Sequence, residues 1–204
     1  EKVLLNSMKG IETLSRVDVL CVDKTGTITE PGMEVTEIRP VKDAQDLEAL
    51  AQYVEASMDQ NDTMDAIRKF HKTPVSQPWK ALEIQPFTSK KKYGTIAFES
   101  GIYVLGAPEF VLREGFSEVA AEIASATQAG NRVLAFGKYR GDHLGETLEA
   151  HVDLVAWIIL SNPLRKNAKE TFTYFKQQGV TIKVISGDNP ATVSAIAQKA
   201  GIEG

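Results

Sequence analysis

The sequence predicts an α/β domain with a parallel sheet, built from both ends of the chain, and a separate α+β domain inserted between them. The apolar run 17–22 passes directly into the polar, glycine-containing loop Asp23–Thr27. This pattern is typical of a buried strand in a parallel sheet, which ends in a polar loop at the edge where ligands bind. Near the carboxyl end, strand and helix patterns alternate, which favours parallel pairing. We therefore expect a first domain from 1–35 and 156–204, and an inserted domain at 36–155.

Periodicity and capping residues define the elements of the first domain. Gly179 follows an amphipathic segment as a helix-capping glycine does, and Asn189 and Pro190 are typical of a helix start. Cys21 lies in a strand expected to be buried on both faces, so its thiol is predicted to fill the core. The predicted helices are 2–14, 166–178 and one from Pro190 onward, and the predicted strands are 17–22, 151–160 and 181–185.

The inserted domain has the pattern of an antiparallel sheet with helices. Ser100 and Gly101 form a turn signal between two apolar runs, which predicts a hairpin. Strands are predicted at 33–40, 93–99, 102–105 and 132–139, and helices at 46–57, 63–71 and 117–129.

Composition excludes several classes of function. With 23 basic and 27 acidic residues the net charge is -4, which does not favour nucleic acid as a partner. One cysteine and three histidines cannot form a zinc cluster or a disulfide framework. The apolar stretch Leu154–Leu160 is far shorter than the roughly 20 residues of a membrane-spanning helix. The first residues do not form a signal peptide, so we expect this piece to be soluble.

Asp23 is the candidate nucleophile. A carboxylate can attack phosphorus to form an acyl phosphate, and the site must then position the phosphoryl group and neutralise its oxygens. Lys24, Thr25 and Thr27 offer a positive charge and hydroxyl groups for that task. A magnesium ion could bind an Asp23 oxygen and a loop carbonyl, for which Thr25 is the candidate. The same spacing also fits an Asp turn that only caps a helix.

The run Asp23–Thr29, which reads DKTGTIT, resembles the phosphorylation signature of P-type ATPases, and the resemblance covers the whole chain. It implies a haloacid-dehalogenase-like Rossmannoid fold for the first domain and a nucleotide-binding insert. It also implies ATP as substrate, Mg2+ as cofactor, and Asp23 as the acceptor of the γ-phosphoryl group. Related phosphatases carry a second Asp where this chain has Thr25, so the general base that speeds acyl-phosphate hydrolysis is missing.

Two further segments of the first domain resemble the family. Ser186, Gly187 and Asp188 match its TGD segment, with Ser in place of Thr. This match implies a phosphoryl contact for Ser186 and a position near nucleotide and metal for Gly187 and Asp188. Arg165 matches the arginine of the DPxR hinge and is a candidate for a phosphate contact or a hinge role. Asn162 replaces the usual Asp of that hinge and lacks its charge.

The inserted domain carries four residues that the resemblance assigns to the nucleotide. Phe87 would stack on adenine, since a π-face suits a purine, and Lys92 would contact the phosphates. The segment from Gly130 resembles a family strand that gives Arg132 to the phosphates and Leu134 to the base.

The predicted nucleotide site also includes one glycine, and it departs from the family pattern at two positions. Gly106 begins a match to the family's KGAPE element and would let the nucleotide approach the backbone. The Lys of that element is Leu105 here, which removes a cation. Met64 stands where many members carry a Glu that reads the adenine amino group.

The resemblance predicts the catalytic part of an ATP-driven cation pump, on the cytoplasmic side of the cell membrane. Its partners would be ATP and the transmembrane and actuator domains of the same parent chain, with the transported cation bound elsewhere. The chain has no His-Pro pair of the kind typical of heavy-metal pumps, which favours a calcium-like cation. The alternatives are a soluble phosphatase of the same fold, which should have an acid at position 25, and a non-catalytic nucleotide-binding module.

The family's later lysine and its GDGxND loop would follow Gly204. We therefore expect an incomplete parallel sheet with an exposed edge. We also expect a piece that binds nucleotide but completes little or no phosphoryl transfer.

Overall fold

The computed structural model describes residues 8–41, 47–71, 75–187 and 190–202. Within them the chain forms two compact units. Unit 1 comprises both ends of the chain, up to Pro31 and from Leu164, and unit 2 comprises Gly32–Pro163. The helices are α1 (Met8–Leu14), α2 (Leu47–Ala56), α3 (Asp62–Phe70), α4 (Pro108–Leu112), α5 (Phe116–Gln128), α6 (Ala168–Gln177) and α7 (Pro190–Lys199). The strands are β1 (Val19–Asp23), β2 (Glu34–Pro40), β3 (Ala81–Gln85), β4 (Tyr93–Phe98), β5 (Gly101–Gly106), β6 (Arg132–Tyr139), β7 (Val152–Ser161) and β8 (Thr181–Ile185).

In unit 1, β1 and β8 pair in parallel, with Asp23 opposite Ile185, as the sequence predicts. Helix α6 is followed by Gly179, whose φ is +78° and whose N–H donates to the Lys176 carbonyl at 3.0 Å. Glycine adopts this left-handed conformation without steric cost, so the predicted cap is confirmed. The first half of the predicted helix 2–14 and the predicted cap Asn189 lie outside the described residues.

The expectation that the first strand is buried on both faces is wrong. Val22 is 8% exposed and packs against Ile28 and Phe172 in the core of unit 1, but Val19 is 42% exposed and Cys21 is exposed. Among the described residues, β1 has β8 as its paired strand. Alternate β1 side chains therefore point away from the core, and Cys21 is not a core filler.

Unit 2 is built on a six-stranded antiparallel sheet with the strand order β2-β7-β6-β5-β4-β3. Helices α2 and α3 contribute to the core on one face, and α4 and α5 to the core on the other. Strand β7 is buried on both faces, since Trp157 belongs to one core and Ile158 to the other. The sequence prediction placed this apolar strand partly in the parallel sheet. That placement is wrong, because a continuous apolar run indicates two buried faces but not the direction of the neighbouring strands.

The pairing of β2 with β7 places both strands wholly in unit 2. The observed divisions, at Pro31/Gly32 and Pro163/Leu164, therefore differ from the predicted ones after residues 35 and 155. The predicted hairpin is confirmed, with Phe98 opposite Gly101. Strand β3 was not predicted. A register shift between Ala81 and Glu83 breaks its two-residue period, so that Ala81 and Ile84 pack on the core and Leu82 is 58% exposed. Across the described ranges, no helix has both the length and the apolar character needed to cross a membrane.

Candidate functional site

Asp23 lies at the carboxyl end of β1, at one edge of the parallel pair. Because β1 and β8 run in the same direction and Asp23 is opposite Ile185, the residue that follows β8, Ser186, lies at the same edge. Ser186 is half-buried and Gly187 is exposed. The predicted site residue Asp188 lies outside the described residues. The topology thus brings together the two segments of the first domain that were assigned to phosphoryl transfer.

The loop after Asp23 is a wide turn closed by hydrogen bonds to one carbonyl. The backbone N–H and the hydroxyl of Thr29 donate to the Lys24 carbonyl at 3.1 Å and 3.2 Å. Gly26 has φ +76°, which favours glycine. Around this turn Asp23, Thr25 and Thr27 are exposed, so a carboxylate and two hydroxyl groups face solvent together.

Lys24 differs from its exposed neighbours. Its residue surface is 3% exposed, so its side chain is buried within unit 1. The sequence assigned Lys24 a charge-neutralising role. That role stays a prediction, now for a lysine that is buried next to the exposed Asp23.

Arg165 holds the same loop from the other side. Its Nε and Nη2 donate to the Gly26 carbonyl at 3.2 Å and 2.6 Å, and its backbone N–H donates to the Ile28 carbonyl at 3.0 Å. Its Nη1 is also 3.9 Å from a Glu30 carboxylate oxygen. Arg165 was assigned to the nucleotide, but it contacts the Asp23 loop and does not line the cavity of unit 2 described below.

The oxygen donors of this loop suit a hard cation only in part. Among the described residues there is no group of three or more His, Cys, Asp or Glu side chains that could hold a metal ion. The predicted ligands are the carboxylate of Asp23 and the carbonyl of Thr25. Mg2+ retains several waters and commonly shares protein carboxylates with substrate phosphates, so this donor set fits Mg2+ together with a phosphate.

Unit 2 contains a cavity of about 760 Å³. It lies between the start of α3, the segment before β4 and the adjacent ends of β5 and β6. All five residues that the sequence assigned to nucleotide binding in the inserted domain line it, as do the two departures from the family pattern: Phe87, Lys92, Gly106, Arg132 and Leu134, with Met64 and Leu105. The Phe87 residue is 43% exposed, so a large aromatic side chain remains accessible to a ligand.

Gly106 has a structural role that the sequence did not indicate. A Cβ atom on Gly106 would lie 2.4 Å from the Lys92 carbonyl oxygen and 2.4 Å from the Tyr93 Cβ. These atoms belong to the start of β4, to which β5 is paired, with Tyr93 opposite Gly106. Glycine is therefore required at this position by the approach of two strands, and not only by the approach of a ligand as predicted.

The two cations of the cavity lining are held in different ways. Lys92 has φ +62°, an uncommon conformation for a residue other than glycine. Its N–H donates to the Thr88 carbonyl at 2.8 Å, and its carbonyl accepts from Ala107 at 2.9 Å. Arg132 reaches across the cavity lining, where its Nη1 is 3.3 Å from the Thr63 hydroxyl.

Asp59 and Tyr53 line the same cavity and were missed by the sequence. The Phe87 N–H donates to the Asp59 carboxylate, at 3.1 Å from Oδ1 and 3.4 Å from Oδ2. Tyr53 is 2% exposed, and burial, with a smaller effect of the Asp59 charge, raises the pKa of its hydroxyl well above the ordinary value. No local pattern marks either residue, because their contacts join parts of the chain that are distant in sequence.

Residues 17–204 match the family of haloacid dehalogenase-like hydrolases, and the chain belongs to this family. Its relatives include cation-transporting P-type ATPases, which confirms the resemblance identified from the sequence. It is 41% identical to the probable cation-transporting ATPase exp7 of Streptococcus pneumoniae, over 98% of this chain and 26% of that protein. It is 38% identical to the calcium-transporting ATPase CtpE of Mycolicibacterium smegmatis, over 98% of this chain and 25% of that protein. The chain thus spans about a quarter of the length of these curated relatives.

Solved structures support the predicted fold class. The crystal structure of a zinc-transporting PIB-type ATPase has a TM-score of 0.70 and 23% identity, over 95% of this chain and 29% of that chain. A crystal structure of the same kind of protein in another state gives a TM-score of 0.73. At this identity the likeness concerns the fold alone. Together with the family match, it confirms a haloacid-dehalogenase-like parallel sheet with an inserted α+β unit built on an antiparallel sheet.

Proposed function

We propose that this chain is the nucleotide-binding part and a portion of the phosphorylation part of an ATP-driven cation pump. The observation that carries the proposal is the cavity of unit 2. An accessible aromatic side chain, Phe87, and two cations, Lys92 and Arg132, line one cavity. An aromatic ring suits a base, and basic side chains suit phosphates. The volume of about 760 Å³ is within the range of small-molecule and cofactor sites.

The proposed reaction uses Asp23 as a nucleophile. One carboxylate oxygen of Asp23 forms a bond to the γ-phosphorus of ATP, and the bond from that phosphorus to the bridging β–γ oxygen breaks. ADP leaves with the bond's electron pair, and Asp23 is left as an acyl phosphate. Thr25 and Thr27, exposed beside Asp23, donate hydrogen bonds to the phosphoryl oxygens. Ser186, at the same sheet edge, is proposed to do the same.

Mg2+ would be held by the carboxylate of Asp23 and the carbonyl of Thr25, and it would neutralise charge on the phosphoryl oxygens. Arg165 fixes the loop through the Gly26 carbonyl, so that Asp23 and Thr25 keep their positions. With Thr25 where a phosphatase would have a second acid, the acyl phosphate lacks a neighbouring general base and persists. A persistent intermediate suits a pump better than a phosphatase.

The transported cation is proposed to be a hard cation of the calcium type. The chain lacks a His-Pro pair, and a relative with 38% identity is named as calcium-transporting. The partners proposed for this part are ATP and the transmembrane and actuator domains of the same parent protein. The parent is proposed to lie in the cell membrane, with this part on the cytoplasmic side and the cation bound elsewhere.

A calorimetric titration with a non-hydrolysable ATP analogue tests the nucleotide site. The variants are Phe87→Ala and a matched control, Phe110→Ala. The two phenylalanines are 43% and 41% exposed, but Phe110 does not line the cavity. Loss of a base-stacking ring should weaken binding by about 1–3 kcal/mol, while the control should bind like the parent chain. Equal weakening by both variants, or no binding to the parent chain at millimolar analogue, would refute the proposed site.

A further inference from the structure

The cavity lining carries charges of both signs, so only part of it suits the negatively charged triphosphate. Three carboxylates line it, from Asp59, Asp62 and Glu109, against two cations, Lys92 and Arg132. A triphosphate beside a carboxylate would be repelled, because like charges at short range disfavour each other. A carboxylate that faces a bound nucleotide must therefore lie against an uncharged part of it that can donate hydrogen bonds.

Asp59 lies at the aromatic end of the cavity. Its carboxylate accepts the Phe87 N–H at 3.1 Å and 3.4 Å, which ties it to the residue proposed to stack on the base. A carboxylate has about four lone-pair positions, and this N–H occupies the space between its two oxygens. The Ser57 hydroxyl donates to Oδ2 at 3.5 Å. Two donors leave acceptor capacity on this carboxylate, beside the exposed ring of Phe87.

The position of Asp59 is fixed before any ligand binds. Arg68 donates from Nη1 to the Asp59 carbonyl at 2.9 Å and from Nη2 to the Ser57 carbonyl at 2.8 Å. The Asp59 N–H donates to the Ser57 hydroxyl at 3.3 Å. A group held in this way loses little conformational entropy when it forms a hydrogen bond with a ligand.

The neighbouring side chains are less suited to accept a hydrogen bond from a base. Met64 is buried and offers only a thioether, which is a weak acceptor. The Asn61 side-chain oxygen accepts the Met64 N–H at 2.9 Å and caps α3. Asp62 is exposed in the first turn of the same helix, where its charge interacts favourably with the helix dipole.

We propose that Asp59 determines base specificity by accepting a hydrogen bond from the 6-amino group of an adenine stacked on Phe87. This inference rests on the proposed function of the cavity as a nucleotide site. A purine with an oxygen at position 6 presents lone pairs to the same carboxylate and is repelled. Asp59 therefore selects adenine over hypoxanthine.

The test uses the full chain and three β,γ-methylene triphosphates, which carry adenine, hypoxanthine or unsubstituted purine. The adenine analogue should bind the parent chain about tenfold or more tightly than the other two, as expected for a hydrogen bond to a charged group. In Asp59→Asn and Asp59→Ala this ratio should fall to about twofold or less. Asp142→Asn removes one charge from an exposed residue outside the cavity and should leave the ratio unchanged.

A purely structural Asp59, needed only to hold the Phe87 backbone, gives a different result. Its substitution would weaken all three analogues equally and preserve the ratio, which would overturn the inference. Equal binding of the three analogues to the parent chain would overturn it as well, while leaving the nucleotide site intact. Absence of binding by all three would instead overturn the proposed function, and the base specificity with it.

Discussion

Gly106→Ala should destabilise unit 2 and distort its cavity at the same time. The added Cβ would lie 2.4 Å from the Lys92 carbonyl oxygen and 2.5 Å from the Tyr93 Cα. Real Cβ atoms do not approach other heavy atoms so closely, and the atoms met here belong to backbone or to a Cβ. No flexible side chain can move aside. The pairing of β4 with β5 must therefore open.

The expected cost is about 1–3 kcal/mol, the usual range for overpacking a well-packed interior. Gly115→Ala is the matched control. Its backbone has φ -68° and ψ -12°, and an added Cβ would have no atom within 4 Å. The control should therefore change stability by less than about 1 kcal/mol, since the conformation suits alanine and there is no clash.

Urea unfolding followed by tryptophan fluorescence measures this difference. The chain has 2 tryptophans, Trp79 and Trp157, and both lie within unit 2, so the signal reports that unit alone. With a slope of about 2 kcal/mol per molar urea, a loss of about 2 kcal/mol lowers the midpoint by about 1 M. If Gly106→Ala unfolds within about 0.2 M of the Gly115→Ala midpoint, the close approach of β4 and β5 does not explain the glycine.

Two further predictions concern pH and the Asp23 loop. Burial raises the pKa of both Tyr53 and Tyr93. As the pH rises past about 10, the unfolded chain therefore releases these protons before the folded chain does, and stability falls. Tyr53 contributes up to about 1.4 kcal/mol per pH unit to this loss of unfolding free energy. When the free energy of unfolding is measured by urea titration at several pH values, Tyr53→Phe should therefore show a smaller decrease per pH unit than the parent chain. An equal decrease contradicts this. Arg165→Ala should speed amide exchange of Thr29 about tenfold, the effect of losing about 1.4 kcal/mol of hydrogen bonding. Lys166→Ala, which removes a neighbouring charge, should leave that exchange rate unchanged, and equal rates in the two variants would refute the role of Arg165.

Local patterns in the sequence predict most of the elements. The strand β6 and the capping of α6 by Gly179 follow from residues that are adjacent in the chain, where periodicity and backbone conformation decide the outcome. The parallel pairing of β1 and β8 follows from the strand and helix alternation around them. Errors occur where a prediction depends on the number and direction of neighbouring strands. The exposure of Cys21 and the antiparallel partners of β7 are both of this kind.

The candidate sites also divide into features that local sequence predicts and features that depend on distant contacts. Residues of the inserted domain that the family resemblance assigns to nucleotide all line one cavity, since these residues occur within short, recognisable segments. The contacts that position these residues are not confined to short segments, because they join parts of the chain that are distant in sequence. Asp59 meets the N–H of Phe87 across 28 residues, and Arg165 meets the Gly26 carbonyl across 139 residues.

These long-range contacts change the interpretation of residues that the sequence already identified. Arg165 was predicted to contact phosphate or to act in a hinge, and two of its nitrogens donate to one carbonyl of the loop after Asp23. This loop is therefore supported by the segment that follows unit 2 in the chain. A displacement of Arg165 would therefore alter the hydrogen bonds that hold Gly26, three residues from Asp23. A motif can identify such an arginine, but only its acceptor shows that it holds the loop after Asp23.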